Sequence, residues 1–228
     1  MADSSPPGRR ARPWNRPPRG VVVGYGRTRR QAPRHGRQHT DTRKGVAGMA
    51  LIALAADKGA PGVTTTAVAL SAVWPRRALL AETDTAGGDL VYRSPAADGR
   101  PLDPNTGLLS LAATARRGLA AEQLWDHTQR LSGGLEVLVG LGSAEQSAGL
   151  AGQWDTVGRA FAHLAESPHP QLAADVIADC GRIGPEAASV ALLPHAALVL
   201  LVARDEPEQI ARVRDRALAL TARLHGAG

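Results

Sequence analysis

The segment LIALAADKGAPGVTTTAVAL, residues 51–70, constrains this chain more than any other part of it. A short continuous apolar run, Leu51–Ala56, opens into a loop of glycine, proline and threonine, and a helical apolar period succeeds it over Thr65–Val73. A strand without polar alternation is apolar on both faces, which asks for a mostly parallel sheet covered by helices on both sides. The loop itself carries Gly59 and Gly62, which let successive backbone N–H groups point into one concavity, while the helix N-terminus behind it adds positive potential. Thr64 and Thr65 place hydroxyls at the start of that helix, where one can ligate Mg²⁺. A Gly/Thr turn after a strand also occurs as a plain turn, so its meaning depends on the rest of the chain.

Residues 78–224 repeat the alternation of buried strands and helices. Strands are expected at Ala78–Ala81, Leu135–Leu141, Asp175–Asp179 and Ala197–Ala203. Helices are expected at Gly107–Arg116, Ala120–Gln129, Trp154–Ala165, Pro185–Leu192 (proline in its first turn) and Glu206–Leu224, with a long polar loop over 84–106. With 43% apolar but only 3% aromatic residues, the core must be built from Ala, Leu and Val.

Two acidic stretches fall at strand ends. Glu82 and Asp84 are separated by one residue, so strand alternation puts them on one side near the C-terminal mouth, where ligands bind in such sheets. Asp179 closes an apolar strand and is followed by Cys180 and Gly181. Either aspartate could also be a solvated loop carboxylate or a turn cap. Cys180 reads as a small buried side chain, since no partner base is evident. A single cysteine excludes an internal disulfide and any metal site built on several thiolates. His127, His163, His169 and His195 lack ligand spacing.

Taken together, KGAPGVTTT, the Glu82–Leu90 segment with its Gly-Asp-Leu turn, and ADVIADCG resemble the deviant Walker A, acidic-switch and Walker B motifs of the ParA/MinD family of ATPases. The resemblance covers most of residues 50–215 and implies a P-loop fold that binds ATP and Mg²⁺. It implies nucleotide contacts from Lys58, Gly59, Ala60, Pro61, Gly62, Val63, Thr64 and Thr65, with Lys58 the signature lysine that reaches a partner's nucleotide. By the same resemblance Thr64 ligates Mg²⁺, Thr65 touches the α-phosphate, Asp84 orients the attacking water and supports the metal, and Asp179 holds the metal through water. Glu82 is given a supporting electrostatic part. The loop is degenerate: Ala60 replaces a glycine, and Val63 replaces the second lysine, leaving an apolar side chain beside the phosphates. Losing a charge-assisted contact of about 1.5–3 kcal/mol implies roughly 10–100-fold weaker binding if nothing compensates. The helix pair around Gly107–Gln129, Ser143–Gln146 and Asp205–Val213 resemble the CpaE/TadZ-like pilus-assembly and localisation branch. The implied function is an ATP-dependent homodimer switch for positioning chromosome, septum or pilus machinery, with weak or absent hydrolysis. A non-catalytic scaffold of the same fold is the alternative.

Charge separates the chain into two parts. Residues 1–48 hold 12 basic and 2 acidic residues, a net of +10, whereas residues 49–228 hold 15 and 19, a net of −4. The high isoelectric point therefore says nothing about a nucleic-acid surface on residues 49–228. Rich in Pro, Arg and Gly, residues 1–48 show no sustained helical or strand period and are expected to be a disordered basic leader. Nucleic acid is a conceivable partner through this segment only; translation starting at Met49 is the favoured account of it. Val21–Gly26 resembles the opening of a dinucleotide fingerprint but lacks the third glycine and the later acid. The family continues past the last helix with a further strand and an adenine-contacting loop, so the resemblance implies either a C-terminal truncation or a missing base-binding side. No apolar run approaches the roughly 20 residues of a membrane span, and no secretory signal is present, which points to the cytoplasm.

Overall fold

The computed structural model describes residues 20–26, 51–59, 61–184 and 186–226, with residues 20–26 and 225–226 described by backbone alone. The remainder of the basic leader, including Met49, lies outside the described residues, as do Ala60 and Pro185.

Among the described residues seven strands form one sheet. In chain order they are β1 (Gly20–Gly26), β2 (Leu51–Ala56), β3 (Ala78–Glu82), β4 (Gln129–Arg130), β5 (Glu136–Leu138), β6 (Asp175–Arg182) and β7 (Leu198–Arg204), and across the sheet they run β1-β7-β2-β6-β3-β5-β4. The five inner strands are parallel, while β1 and β4 pair antiparallel with β7 and β5. The α-helices among the described residues are α1 (Val63–Ala72), α2 (Leu90–Arg93), α3 (Leu108–Ala115), α4 (Trp154–Leu164) and α5 (Pro207–Gly226).

Both faces of the sheet are covered, as the apolar strands require. On one face Ile52, Leu54, Ile177 and Leu80 pack against Val63 and Ala67 of α1. On the other, Leu51, Ala53, Val176 and Ala178 pack against α3, α4 and α5. Helix α4 shows why the sequence was readable there. Trp154, Val157, Phe161 and Leu164 recur at helical spacing and are all buried, which fixes one face of the helix against the sheet.

Several expectations are corrected. The segment 84–106 is not a plain loop: it contains α2 and the bridges Pro95↔Pro101 and Ala96↔Leu131. Ala120–Gln129 is not an α-helix. Ala121–His127 winds as a 3₁₀-helix, and Gln129–Arg130 then joins the sheet edge, because Thr128 turns extended and Trp125 is held by its Nε1–H to the Leu172 carbonyl at 2.9 Å. The expected helix at 185–192 is a 3₁₀-helix at Ala188–His195; Pro194 lacks an N–H to donate, so the tighter turn does not propagate as an α-helix. Within the leader, Gly20–Gly26 is an edge strand in continuous register with β7, contrary to the expectation of no strand period there.

The histidines that lack ligand spacing are satisfied locally where they are half-buried. His127 lies between the Ser110 hydroxyl (2.8 Å from Nδ1) and the Thr114 hydroxyl (3.1 Å from Nε2). Burial pushes its pKa below the ordinary histidine value, with Asp126 opposing. The neutral ring is therefore favoured by folding. Its stabilisation is complete above the unfolded pKa of about 6.5 and is lost as pH falls through the lower folded value. In urea titrations between pH 7.5 and 5, the wild type should lose more stability than His127→Gln; parallel profiles would refute this.

Candidate functional site

The order β2-β6-β3 brings three strand ends together. The glycine loop leaves β2, Asp179 stands on β6, and Asp84 comes just after β3, so the three features that the sequence spaces widely become neighbours at one mouth of the sheet. The chain passes from β2 to β3 over β6, and a crevice outside the carboxyl ends of parallel strands is where such sheets bind ligands.

The loop is curled. Gly59 and Gly62 have φ of +77° and +95°, a left-handed backbone that a side chain resists, and Gly62 ends the loop as the N-cap of α1. With no side chain on the cap and no acidic residue in the first turn, the leading N–H groups of α1 are left to an external acceptor. Thr66 is not part of that offering, since its hydroxyl and N–H both return to the Gly62 carbonyl at 2.8 and 2.9 Å. Thr64 is half-buried and its hydroxyl is hydrogen-bonded to the Asp179 carboxylate, while Thr65 is exposed.

Asp179 is 2% exposed and accepts the Gly181 N–H at 3.0 Å. Burial raises its pKa, the Thr64 and Gly181 hydrogen bonds oppose, and Asp84 and Asp89 push it up further. Asp84 lies directly over Gly181, whose φ is +57°: a Cβ on that glycine would sit 1.7 Å from Asp84 Oδ2. The Asp84 carboxylate accepts the Ala86 N–H at 2.8 Å and the Arg182 N–H; burial raises its pKa, these bonds and the Arg182 charge lower it, and Asp89 raises it. No group of three or more His, Cys, Asp or Glu among the described residues could hold a metal. The donors that converge here are one hydroxyl and two carboxylates. That hard-oxygen set fits Mg²⁺, which takes few protein ligands and completes its shell with phosphate oxygens and water.

Other expected site residues fall differently. Lys58 is exposed and, with Gly59, lines a cleft of about 270 Å³ closed by Glu206, Glu208, Gln209 and Arg212 at the start of α5. Pro61 is buried. Val63 does not lie beside the phosphate position as expected: it is 6% exposed and packs in the apolar cluster with Ile52, Leu54 and Ala67, so only its backbone can face a ligand. Glu82, given a supporting electrostatic part by the resemblance, is held by three backbone N–H groups. One oxygen accepts the Asp89 and Leu90 N–H groups and the other the Gly140 N–H, all at 3.0 Å, so it ties the switch turn to the segment just after β5. Burial raises its pKa, with those three bonds opposing.

Sequence reasoning passed over two features. Asp57 accepts a hydrogen bond from Arg216 Nε at 2.6 Å, a mostly buried ion pair that fastens the loop's first residue to α5. The second is the backbone and charge of Arg182 against Asp84. Cys180, as expected, is structural: it is 1% exposed, accepts the Thr83 hydroxyl at 3.3 Å, and burial pushes its pKa up to about 12. A thiol so protonated is no nucleophile. Iodoacetamide at pH 8 should leave it unmodified in the native protein and alkylate it in denaturant; rapid native labelling by mass spectrometry would overturn this.

No protein-family model and no curated protein matches the chain. Among solved structures it is similar to apo McdA from Cyanthece, with 18% identity and a TM-score of 0.56 over 79% of this chain and 68% of that one. It is also similar to cobyrinic acid a,c-diamide synthase from Mycobacterium smegmatis with bound ATP analog and magnesium, at 22% identity and a TM-score of 0.43, over 65% of this chain and 55% of that one. A second structure of that synthase gives 22% identity and 0.41, over 64% and 53%. The chain thus spans little more than half of the synthase. The likeness to McdA supports the architecture expected from the sequence: an α/β fold with a mostly parallel sheet and helices on both faces.

Proposed function

We propose that this chain is a ParA/MinD-like nucleotide-binding protein of the cytoplasm that takes Mg·ATP at Lys58–Thr65, dimerises over it and hydrolyses it slowly or not at all. On the motif resemblance, its work is intracellular positioning of the CpaE/TadZ kind, with partners from a pilus, secretion or partition system. One observation carries the nucleotide reading: the Thr64 hydroxyl is bonded to Asp179 at the mouth of a curled glycine loop, with Asp84 against the next glycine. A plain turn and two solvated carboxylates would have no reason to converge.

Bound Mg²⁺ would supply positive charge between the phosphate oxygens. Thr64 and Asp179 would hold it, the latter through water, and the N–H groups of the loop and of the first turn of α1 would take the phosphates. Asp84, its carboxylate fixed by two backbone N–H groups, would orient a water toward the terminal phosphate. Lys58, exposed at the loop's start, would on the motif resemblance reach a partner's nucleotide.

Val63 favours a second reading, a non-catalytic scaffold: its side chain is buried and uncharged, so the loop's one cation, Lys58, stands at its start and none stands at position 63 for the transition-state charge. Isothermal titration of the full chain with ATP, with and without Mg²⁺, separates the two. Saturable heat and a Mg²⁺-dependent rise in melting temperature are expected. No heat and no shift at millimolar ATP would leave the scaffold.

A further inference from the structure

We propose that Arg182 supplies, at the nucleotide's terminal phosphate, the positive charge that Val63 cannot, so that the phosphate-binding cation of this site stands on β6 rather than in the loop. This rests on the reading of the site as a Mg·nucleotide site.

The placement comes from a register shift. Ala53 pairs with Ala178 and Leu54 with Asp179, but Ala56 pairs with Arg182, so two steps along β2 are matched by three along β6. Strict alternation would put Gly181 on the face that carries Asp179 and send Arg182 to the opposite one. The extra residue is a bulge, with Gly181 in the left-handed conformation, and it moves Arg182 to the level and face of Ala56, the last strand residue before the loop. Pairing resumes beyond it, where the Ile183 N–H donates to the Ala56 carbonyl at 2.9 Å. Bulges beside ligand sites re-aim a side chain in this way.

The position is held at the backbone and free at the tip. The Arg182 N–H donates to the Asp84 carboxylate, and its guanidinium is exposed, close enough to attract that carboxylate but in no salt bridge among the described residues. The other cations around the loop are placed otherwise. Arg216 is bonded to Asp57, and Lys58 and Arg212 share their cleft with Glu206 and Glu208 beside β7. On the side of the loop where Asp84 and Asp179 stand, Arg182 is the cation at hand. A planar guanidinium suits a phosphate bidentately, as an arginine supplied in cis does in other phosphoryl-transfer sites.

The test is the affinity of the full chain for ATPγS and for ADP with Mg²⁺, measured by titration calorimetry on wild type, Arg182→Ala, Arg182→Gln and Arg182→Lys. Loss of the contact should weaken ATPγS by roughly 10–100-fold in the alanine and glutamine variants and ADP by less than about threefold, while lysine, which keeps the charge, stays within about fivefold of wild type. Equal ATPγS affinity in wild type and Arg182→Gln overturns this inference and leaves the nucleotide site standing. Equal losses for ATPγS and ADP also overturn it, since the contact is then not to the terminal phosphate. Absence of binding by the wild type overturns both. Should Arg182→Ala melt early, the glutamine and lysine pair decides.

Discussion

Asp175→Ala should lower the unfolding free energy by about 2–4 kcal/mol. Asp175 opens β6, is 1% exposed, and sits level with Ala78 of β3. Its Oδ2 accepts Trp74 Nε1–H at 2.7 Å and Arg76 Nε–H at 2.8 Å, and Oδ1 takes a second guanidinium N–H from Arg76. Removing the carboxylate leaves the indole N–H and the guanidinium without an acceptor in a partly buried place. Because the Arg76 side chain is 41% exposed, it recovers some hydration, which keeps the loss below the upper end for a fully buried pair. Urea denaturation of wild type, Arg76→Ala, Asp175→Ala and the double variant measures it. The double variant should cost less than the sum of the singles, since both remove the same contact. A change below about 0.5 kcal/mol for Asp175→Ala would show that the pair is not a fastening of the fold.

How much of this was legible in the sequence depended on how local the cause was. β2 and α4 were legible because their burial is written in their own period: an unbroken apolar run in one, Trp154, Val157, Phe161 and Leu164 in the other. The 3₁₀ segments were not. Ala121–His127 has the apolar spacing of an α-helix, and what redirects it is the tertiary bond from Trp125 to Leu172 together with the guanidinium of Arg77, 3.8 Å from the Trp125 ring centroid. β1 was passed over for a similar reason: Val21–Gly26 was weighed only as an incomplete dinucleotide fingerprint, and its pairing partner β7 lies at the other end of the sequence.

The site divides along the same line. That Thr64, Asp84 and Asp179 come together was legible because each sits at a strand or helix end whose type is set locally, and parallel order then brings those ends together. The partners of Glu82 were not legible, because the N–H groups of Asp89, Leu90 and Gly140 are supplied by a turn and a neighbouring segment that alternation along β3 does not reveal. Val63 was misplaced because a loop motif gives the order of residues and not the direction in which the first turn of α1 faces. The aim of Arg182 depends on a single extra residue in β6, which no apolar period records.

Asp179→Asn should abolish Mg²⁺-dependent stabilisation by ATP without lowering the stability of the ligand-free protein. Asp175 and Asp179 stand four residues apart on one strand, so they share a face of the sheet, and both are almost wholly buried. Their surroundings differ. Asp175 has a guanidinium and an indole N–H, whereas Asp179 has one hydroxyl, one backbone N–H and the repulsion of Asp84 and Asp89. The raised pKa of Asp179 means that its charge is less well accommodated in the folded chain than in the unfolded one, so replacing it by the neutral isostere removes a cost at neutral pH. An asparagine can still accept the Gly181 N–H and donate to the Thr64 hydroxyl, which keeps the site satisfied. At an ATP concentration about 100 times the wild-type Kd, ligand linkage is worth roughly 2.7 kcal/mol, and that increment should vanish in the variant. Melting curves with and without Mg·ATP read both halves together. A ligand-free midpoint well below wild type would make Asp179 a structural acid like Asp175, and a retained Mg·ATP shift would remove it from the metal site.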